Sequence, residues 1–473
     1  MLKDYLSNSI FEALNFRPTS DQKELINNLS EFIFEGSDDS VFILKGYAGT
    51  GKTTVISALV NALKKHEIKT QLLAPTGRAA KVISKYSSQK AFTIHKVIYR
   101  QKSTTDGFGV FSIDYNKFSD TIFIVDEASM IGNGSRDGTI FGSGSLLDDL
   151  MSYVYNSNNC KLILVGDIAQ LPPVGLEISP ALNKQEIEAA YYKEVYESNL
   201  KEVVRQSADS GILYNATLLR LVMANGVDCF PKFELNSYTD IVRISGADLI
   251  DEISTSYSNY GEDETIIVCR SNSRANKFNM GIRNSILYRE EELSVGDMLM
   301  IVKNNYYWSA ETENMDFIAN GDTVCVRRIR GIVELYGFRF AKLTVEFIDY
   351  NEELDVVVLL DTLTSESPSL SYNDSVKLYR EIEKDYLDIR NKKKRFEKIR
   401  ENEYFNALQI KFAYAVTCHK AQGGQWCSVF VDQGWIPTEI PDIEYMRWLY
   451  TAFTRATEKL YLVNFNNEFF IEE

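Results

Sequence analysis

Residues 41–54 read VFILKGYAGTGKTT. Four apolar residues (Val41, Phe42, Ile43, Leu44) run straight into a glycine-rich turn. Beyond it Val55, Ile56, Leu59, Val60 and Leu63 recur at helical spacing, so the stretch reads as strand, tight loop and amphipathic helix. From Gly46 to Thr53 the loop has the spacing G-x-x-x-x-G-K-T. A triphosphate needs several backbone N–H groups converging on it. Gly46, Gly49 and Gly51 let the main chain come that close, with Thr50 between them. Lys52 then reaches the β- and γ-phosphates, the Thr53 hydroxyl is placed to ligate Mg²⁺, and Thr54 continues the first helical turn. The stretch predicts a site for a nucleoside triphosphate and Mg²⁺ at the edge of an α/β sheet.

Outward from this unit, short apolar strands at 71–74, 122–125 and 162–165 alternate with helical stretches. That alternation predicts a mostly parallel sheet covered by helices on both faces. Two segments interrupt it. Residues 101–116 are polar around Asp106-Gly107, a hairpin signal. Residues 131–145, IGNGSRDGTIFGSGS, read as a loop, by default a tolerated surface insertion. A second alternation starts near residue 209, with strands expected at 266–269, 413–416, 429–431 and 460–463. Between them, short strands at 323–326, 342–347 and 355–360 separated by turns predict a small antiparallel barrel. Residues 371–403 read as one charged helix with Tyr379, Ile382, Tyr386, Ile389 and Phe396 on one face. Its run Lys392-Lys393-Lys394-Arg395 is flanked by acids and reads as a solvated face before it reads as a phosphate contact.

The strand at 122–125 ends in Asp126 and Glu127. Behind a phosphate loop, such a pair is suited to holding Mg²⁺ (Asp126) and activating the attacking water (Glu127). The run Gly166-Asp167-Ile168-Ala169-Gln170-Leu171-Pro172-Pro173 closes another strand; its prolines stop a helix, which lets Gln170 face a γ-phosphate. Arg205 and Arg455 are candidates to neutralise charge that develops during phosphoryl transfer, one from each half of the chain.

These segments, in this order, resemble the superfamily 1 helicases of the RecD-like and Dda-like group (1B), over most of the chain. Phe16 to Gln22 resembles the adenine-reading segment, so Gln22 is expected to bond the base. Ala74-Pro75-Thr76-Gly77-Arg78-Ala79-Ala80 and Thr93-Ile94-His95 resemble strand-contacting motifs. Thr417-Cys418-His419-Lys420-Ala421-Gln422-Gly423 and the run from Tyr450 to Arg455 resemble the last two motifs. The resemblance implies two RecA-like P-loop motor domains, at 1–93 with 117–208 and at 209–320 with 406–473. It also implies a hairpin insertion at 94–116 and an SH3-like β-barrel plus helix insertion at 321–405. Its implied sites are Gly424 beside the nucleotide and Pro75, Thr76, His95, Phe108, Thr417, His419 and Lys420 on DNA. Phe108, near the hairpin tip, would wedge the duplex or else fold back onto the body. The 131–145 loop is longer than the group's pattern.

The implied function is an ATP-dependent DNA helicase moving 5′ to 3′ on single-stranded DNA and opening forked duplex. An RNA helicase of the same superfamily, or a nucleotide-gated remodeller of proteins, are the alternatives. Composition sets outer bounds. A net charge of −15 counts against non-specific coating of nucleic acid, so strand contacts must rest on local residues. Cys160, Cys229, Cys269, Cys325, Cys418 and Cys427 are scattered without a C-x-x-C pair, which argues against structural zinc or a disulfide framework. No apolar run approaches the ~18 residues of a membrane span, and the N-terminus lacks a signal-peptide core. The expected setting is a monomer in reducing cytoplasm, with a single-strand-binding, replication or recombination protein as companion. The loop Asn304-Asn305-Tyr306-Tyr307-Trp308 is a candidate base contact, though aromatic clusters pack by default. No spare carboxylate cluster suggests a nuclease.

Overall fold

The computed structural model describes residues 2–14, 16–102, 110–134, 142–204, 209–309, 315, 317–348, 350, 352–436 and 441–471. The first lobe is built on six strands in the spatial order Ala91–Thr93, Lys69–Ala74, Thr121–Val125, Lys161–Gly166, Ser40–Gly46 and Glu194–Leu200. Every pairing among them is parallel. Alternation along the phosphate-loop strand explains the layering. Phe42 and Leu44 pack with Leu25, Leu29, Phe32, Leu59 and Leu63 on one face. Val41 and Ile43 pack with Ile94, Ile98, Leu147 and Leu150 on the other. Each such side chain, buried, is worth about 1.5–3 kcal/mol, and both faces of the sheet are covered by helices.

The second lobe carries five parallel strands in the order Ala415–Thr417, Thr265–Cys269, Trp426–Asp432, Ala456–Val463 and Ile241–Ile244. Both sheets match the expected doubly covered parallel architecture. Three edge strands were not anticipated. Glu194–Leu200 (EVYESNL) is mostly polar, yet it pairs with Ser40–Gly46 along seven residues. Ala91–Thr93 and Ile241–Ile244 are only three and four residues long.

The hairpin is confirmed at its base: Tyr99–Lys102 pairs antiparallel with Val110–Ile113. Its tip, including Phe108, lies outside the described residues, as do 135–141 of the long loop. The barrel extends beyond the expected 321–405 on both sides. Thr323–Leu335, Phe338–Phe347 and Glu352–Leu359 form a meander, and a three-stranded meander has two open edges. Met298–Ile301 and Leu408–Phe412 pair with those edges and with each other, which closes it. Arg283 and Asp297, both fully buried, form an ion pair at 3.0 Å just before the first of these strands and tie the barrel to the lobe.

The single helix expected over 371–403 is two. Tyr372–Glu383 ends in a short turn, and Lys392–Arg400 starts afresh where the Asn391 side chain accepts from the Lys393 and Lys394 N–H groups. Folding back lets Phe396 stack on Tyr379 at 5.9 Å, a contact one straight helix could not make at that separation. The basic run is exposed through Lys394, and Arg395 pairs with Glu383. Tyr306 packs between Phe111 of the hairpin, at 4.4 Å, and Phe317, at 5.1 Å, while Trp308 Nε1 donates to the Asn406 carbonyl at 2.8 Å. That aromatic loop is packed, and it joins the hairpin to the barrel.

Candidate functional site

In a parallel sheet the C-terminal strand ends lie along one edge, where sites form. Three adjacent strands of the first lobe deliver the phosphate loop, Asp126 and Asp167 to that edge. Lys45 pairs with Gly166 and Val125 with Leu164. Gly49 and Gly51 adopt left-handed φ values of +74° and +81°, conformations open to glycine at little cost. A Cβ on Gly46 would stand 2.5 Å from Lys52 Cγ, so that glycine lets the lysine lie across the loop. Lys52 Nζ donates to the carbonyls of Gly46 (2.5 Å) and Tyr47 (2.9 Å) and stands 3.8 Å from Asp167 Oδ2. Thr50 is fully buried and its hydroxyl donates to the Tyr47 carbonyl. Thr53 and Thr54 lie in the first turn of the helix Lys52–Lys65, half-buried and exposed respectively.

Asp126 accepts the Glu127 N–H at 2.9 Å, and Glu127 itself holds a left-handed φ of +54°. Backbone strain of this kind gathers at functional sites. Burial, then the Glu127 charge, pushes the Asp126 carboxyl up to about 7, with Lys52 pulling the other way. A carboxyl in that position gains most from a bound cation. Among the described residues no cluster of three or more His, Cys, Asp or Glu could cage a metal. Mg²⁺ typically takes only one or two carboxylates plus phosphate oxygens and water, so Thr53 and Asp126 fit it. Gln170 is buried, and its Oε1 has no hydrogen-bond partner among the described residues. An orphaned acceptor there suits a water molecule that must be oriented.

Gln22 turns inward. Its Oε1 accepts from Thr19 N–H at 3.1 Å and its Nε2 donates to the Thr50 carbonyl at 3.0 Å, with the side chain fully buried. In this arrangement the residue expected to bond a base braces the phosphate loop, because the capping box of helix Ser20–Glu35 aims it there.

Lobe 2 closes over this edge. Tyr450 Oη donates to Asp167 Oδ2 at 2.7 Å and accepts from Ala48 N–H at 2.8 Å. Leu213 packs on Gly49, and the Arg220 guanidinium sits 4.2 Å from the centre of the Tyr47 ring. Arg78 lies 3.9 Å over Trp426, a cation–π contact between lobes. Gly424 is buried, packed against Trp426 and Arg78, and its carbonyl accepts from Arg455 Nη1 at 3.0 Å. Arg455 is 3% exposed and donates also to the Thr451 carbonyl and the Thr454 hydroxyl. Arg205 lies outside the described residues. Sequence reasoning assigned no role to Tyr47, Arg220, Trp426, Thr451 or Tyr450. The last two stood in the motif run, whereas an isolated arginine within LLRLV carries no local signal.

The expected strand contacts line the neighbouring part of the same edge. Thr76, after Pro75, caps helix Gly77–Ser87 by accepting from Ala79 N–H at 3.2 Å. A Cβ on Gly423 would meet Ala79 Cβ at 2.9 Å and Thr76 Oγ1 at 3.3 Å, so the two motifs expected on the strand touch across the lobes. Thr417 stands at the N-terminal boundary of a short helix without a side-chain capping bond, and His419 is exposed on that helix. Burial, then the nearby Lys411 charge, brings Lys420 down to about 8, a poorer phosphate partner than an open lysine. Burial holds the His95 imidazole down to about 4 against the opposing pull of Asp149. His95 is thus neutral at physiological pH and offers a hydrogen bond, not a charge. Because its folded pKa is depressed, its contribution to stability is present above the ordinary value of 6.5 and is lost as pH falls toward 4. His95→Asn should therefore show a smaller loss of urea midpoint between about pH 7 and about pH 5 than the parent chain. Equal losses would place the acid sensitivity elsewhere.

Residues 19–221 match the family model of an AAA domain, and residues 412–463 that of a UvrD-like helicase C-terminal domain. The ATP-dependent DNA helicase dda of Enterobacteria phage T4 is 24% identical over 94% of this chain and 99% of its own length. The ATP-dependent RecD2 DNA helicase of Deinococcus radiodurans is 26% identical over 42% of this chain, a match spanning 25% of that protein. A solved structure of Bacteroides Pif1 helicase with ADP-AlF3 and ssDNA covers 97% of this chain and 95% of its own at 16% identity, with a TM-score of 0.48. With the phosphate loop, the acidic pair and the second-lobe motifs in the same order, the chain is similar to the RecD- and Dda-like superfamily 1 helicases.

Proposed function

We propose that this chain is an ATP-dependent DNA helicase that moves 5′ to 3′ along single-stranded DNA and opens duplex at a fork. One observation carries the coupling of fuel to strand. The segment 417–424 touches the nucleotide side through Gln422, whose Nε2 donates to the Leu171 carbonyl at 2.7 Å. It touches the strand side through Gly423, packed on Thr76. A shift of lobe 2 therefore moves both surfaces together, as rigid-body motors require.

In this reading Lys52 and the phosphate-loop amides hold the triphosphate. Glu127 takes a proton from the attacking water, Gln170 orients that water, and Arg455 neutralises the charge that develops on the γ-phosphoryl group. Thr53 and Asp126 hold Mg²⁺, which when bound neutralises charge on the phosphate oxygens. Thr76, His95, Thr417 and His419 contact the strand backbone. DNA is favoured over RNA because the T4 and Deinococcus relatives are DNA helicases. The same reading has the chain working as a monomer in the cytoplasm, beside a single-strand-binding or replication protein. Among the described residues no helix is long and apolar enough to cross a membrane.

Strand displacement on forked duplexes with either a 5′ or a 3′ tail tests this. Unwinding is expected from the 5′ tail alone, with ATPase stimulated more by single-stranded DNA than by RNA. Hydrolysis without displacement at any salt concentration would favour the protein remodeller, and stronger stimulation by RNA the RNA helicase.

A further inference from the structure

Leu171 follows Gln170 and is 2% exposed. Both hydrogen-bonding groups of this lobe 1 residue are taken by lobe 2. Its N–H donates to Thr451 Oγ1 at 2.8 Å, and its carbonyl accepts from Gln422 Nε2 at 2.7 Å. The Thr451 hydroxyl gives its own proton to the Arg447 carbonyl at 2.7 Å, which fixes its lone pair toward Leu171. At the other end of the same loop Tyr450 holds Asp167. Lobe 2 thus grips the 167–171 loop at both ends, and Gln170 lies inside the grip with its Oε1 buried and without a partner among the described residues.

The two grips on Leu171 come from different elements. Gln422 is two residues beyond Lys420, on the segment that carries Thr417 and His419. Thr451 sits one turn before Arg455, whose Nε donates to the Thr451 carbonyl at 3.0 Å. Where Leu171 stands is therefore set jointly by the strand-contact segment and by the helix Ile443–Phe453, which ends just before Arg455. A displacement of ~1 Å in a positioning group can cost ~10²-fold in rate.

We infer that Thr451 and Gln422 are positioning residues for hydrolysis: through the Leu171 peptide they set Gln170, so strand binding at 417–422 acts on kcat and not on ATP affinity. This rests on the reading that Gln170 faces the γ-phosphate.

The test compares DNA-stimulated kcat, KM for ATP and melting temperature for Thr451→Val, Thr451→Ser, Gln422→Met, Gln170→Leu and the double variant Gln170→Leu/Thr451→Val. Thr451→Val and Gln422→Met should each lower kcat at saturating DNA by about tenfold or more, with KM for ATP within about twofold of the parent. Thr451→Ser, which keeps the hydroxyl, should restore kcat. In the Gln170→Leu background, Thr451→Val should cost nothing further. Parent-like kcat in Thr451→Val and Gln422→Met, with Gln170→Leu impaired, overturns the inference. So does an undiminished effect of Thr451→Val in the double variant. Parent-like kcat in Gln170→Leu itself would remove the underlying reading first, a separate outcome. If Thr451→Val fails to fold, Gln422→Met acts on the other side of the same peptide and decides the question.

Discussion

Replacing Lys52 with alanine is expected to lower DNA-stimulated ATP hydrolysis by at least about 10²–10³-fold and to leave the fold intact. The lysine is anchored by two carbonyls of its own loop, Gly46 and Tyr47, and is 15% exposed as a side chain. Losing two such charge-assisted hydrogen bonds costs about 1.5–3 kcal/mol each, little against the core clusters on both faces of the sheet. Losing the ammonium removes the only side-chain cation the phosphate loop itself supplies to a triphosphate. It also removes one of the two influences that draw the Asp126 carboxyl down, the other being the hydrogen bond from the Glu127 N–H, so Asp126 is less often charged at neutral pH. Both effects act against catalysis. Steady-state ATPase with single-stranded DNA, alongside circular dichroism and a melting curve, checks this; a folded variant that hydrolyses ATP at the parental rate would contradict the site assignment.

The parts of this protein legible in its sequence are those where local pattern and global fold agree. The strands ending at Gly46, Val125 and Gly166 have unbroken apolar centres at 41–44, 122–125 and 162–165 because both of their faces are covered. The glycines and Lys52 are required by phosphate geometry at fixed offsets. What escaped depends on partners distant in the chain. Glu194–Leu200 carries two glutamates and an asparagine, since an edge strand keeps solvent on one side. The barrel is closed by strands more than a hundred residues apart, and no local rule pairs Leu299 with Phe412. The helical spacing of Tyr379, Ile382, Tyr386 and Ile389 continues across 384–391, where the backbone turns, and only the Asn391 cap marks the new start. The direction of the Gln22 side chain was not legible either. The capping interaction with Thr19 turns its amide into the protein. Arg220 and Trp426 meet their partners only once two lobes have folded and docked, so neither position could be singled out beforehand.

Arg455 carries the other large effect. A guanidinium has five N–H donors in a rigid fork. Here Nε, Nη1 and Nη2 each give one to lobe 2, to the Thr451 carbonyl, the Gly424 carbonyl and the Thr454 hydroxyl. Two N–H groups remain, one on each terminal nitrogen, and the three bonds hold them in a fixed direction. That is the preorganisation an arginine needs if it is to stabilise charge without paying for reorientation during the reaction. Arg455→Ala is accordingly expected to lower the single-turnover hydrolysis rate by about 10³–10⁵-fold, with nucleotide binding largely retained. Arg455→Lys should rescue little, because one ammonium cannot span three acceptors and still present two donors. The alanine variant also leaves the buried Gly424 carbonyl without its donor, at about 1–3 kcal/mol, while the Thr451 carbonyl keeps the Thr454 hydroxyl, so the rate must be read beside a melting curve. Guanidinium ion added to that variant should recover part of the rate if the loss lies in phosphoryl transfer, whereas a loss of folding alone would only deepen in its presence. A folded Arg455→Ala protein hydrolysing ATP as fast as the parent would confine Arg455 to holding lobe 2 together, and the arginine that completes the cleft would have to be sought elsewhere.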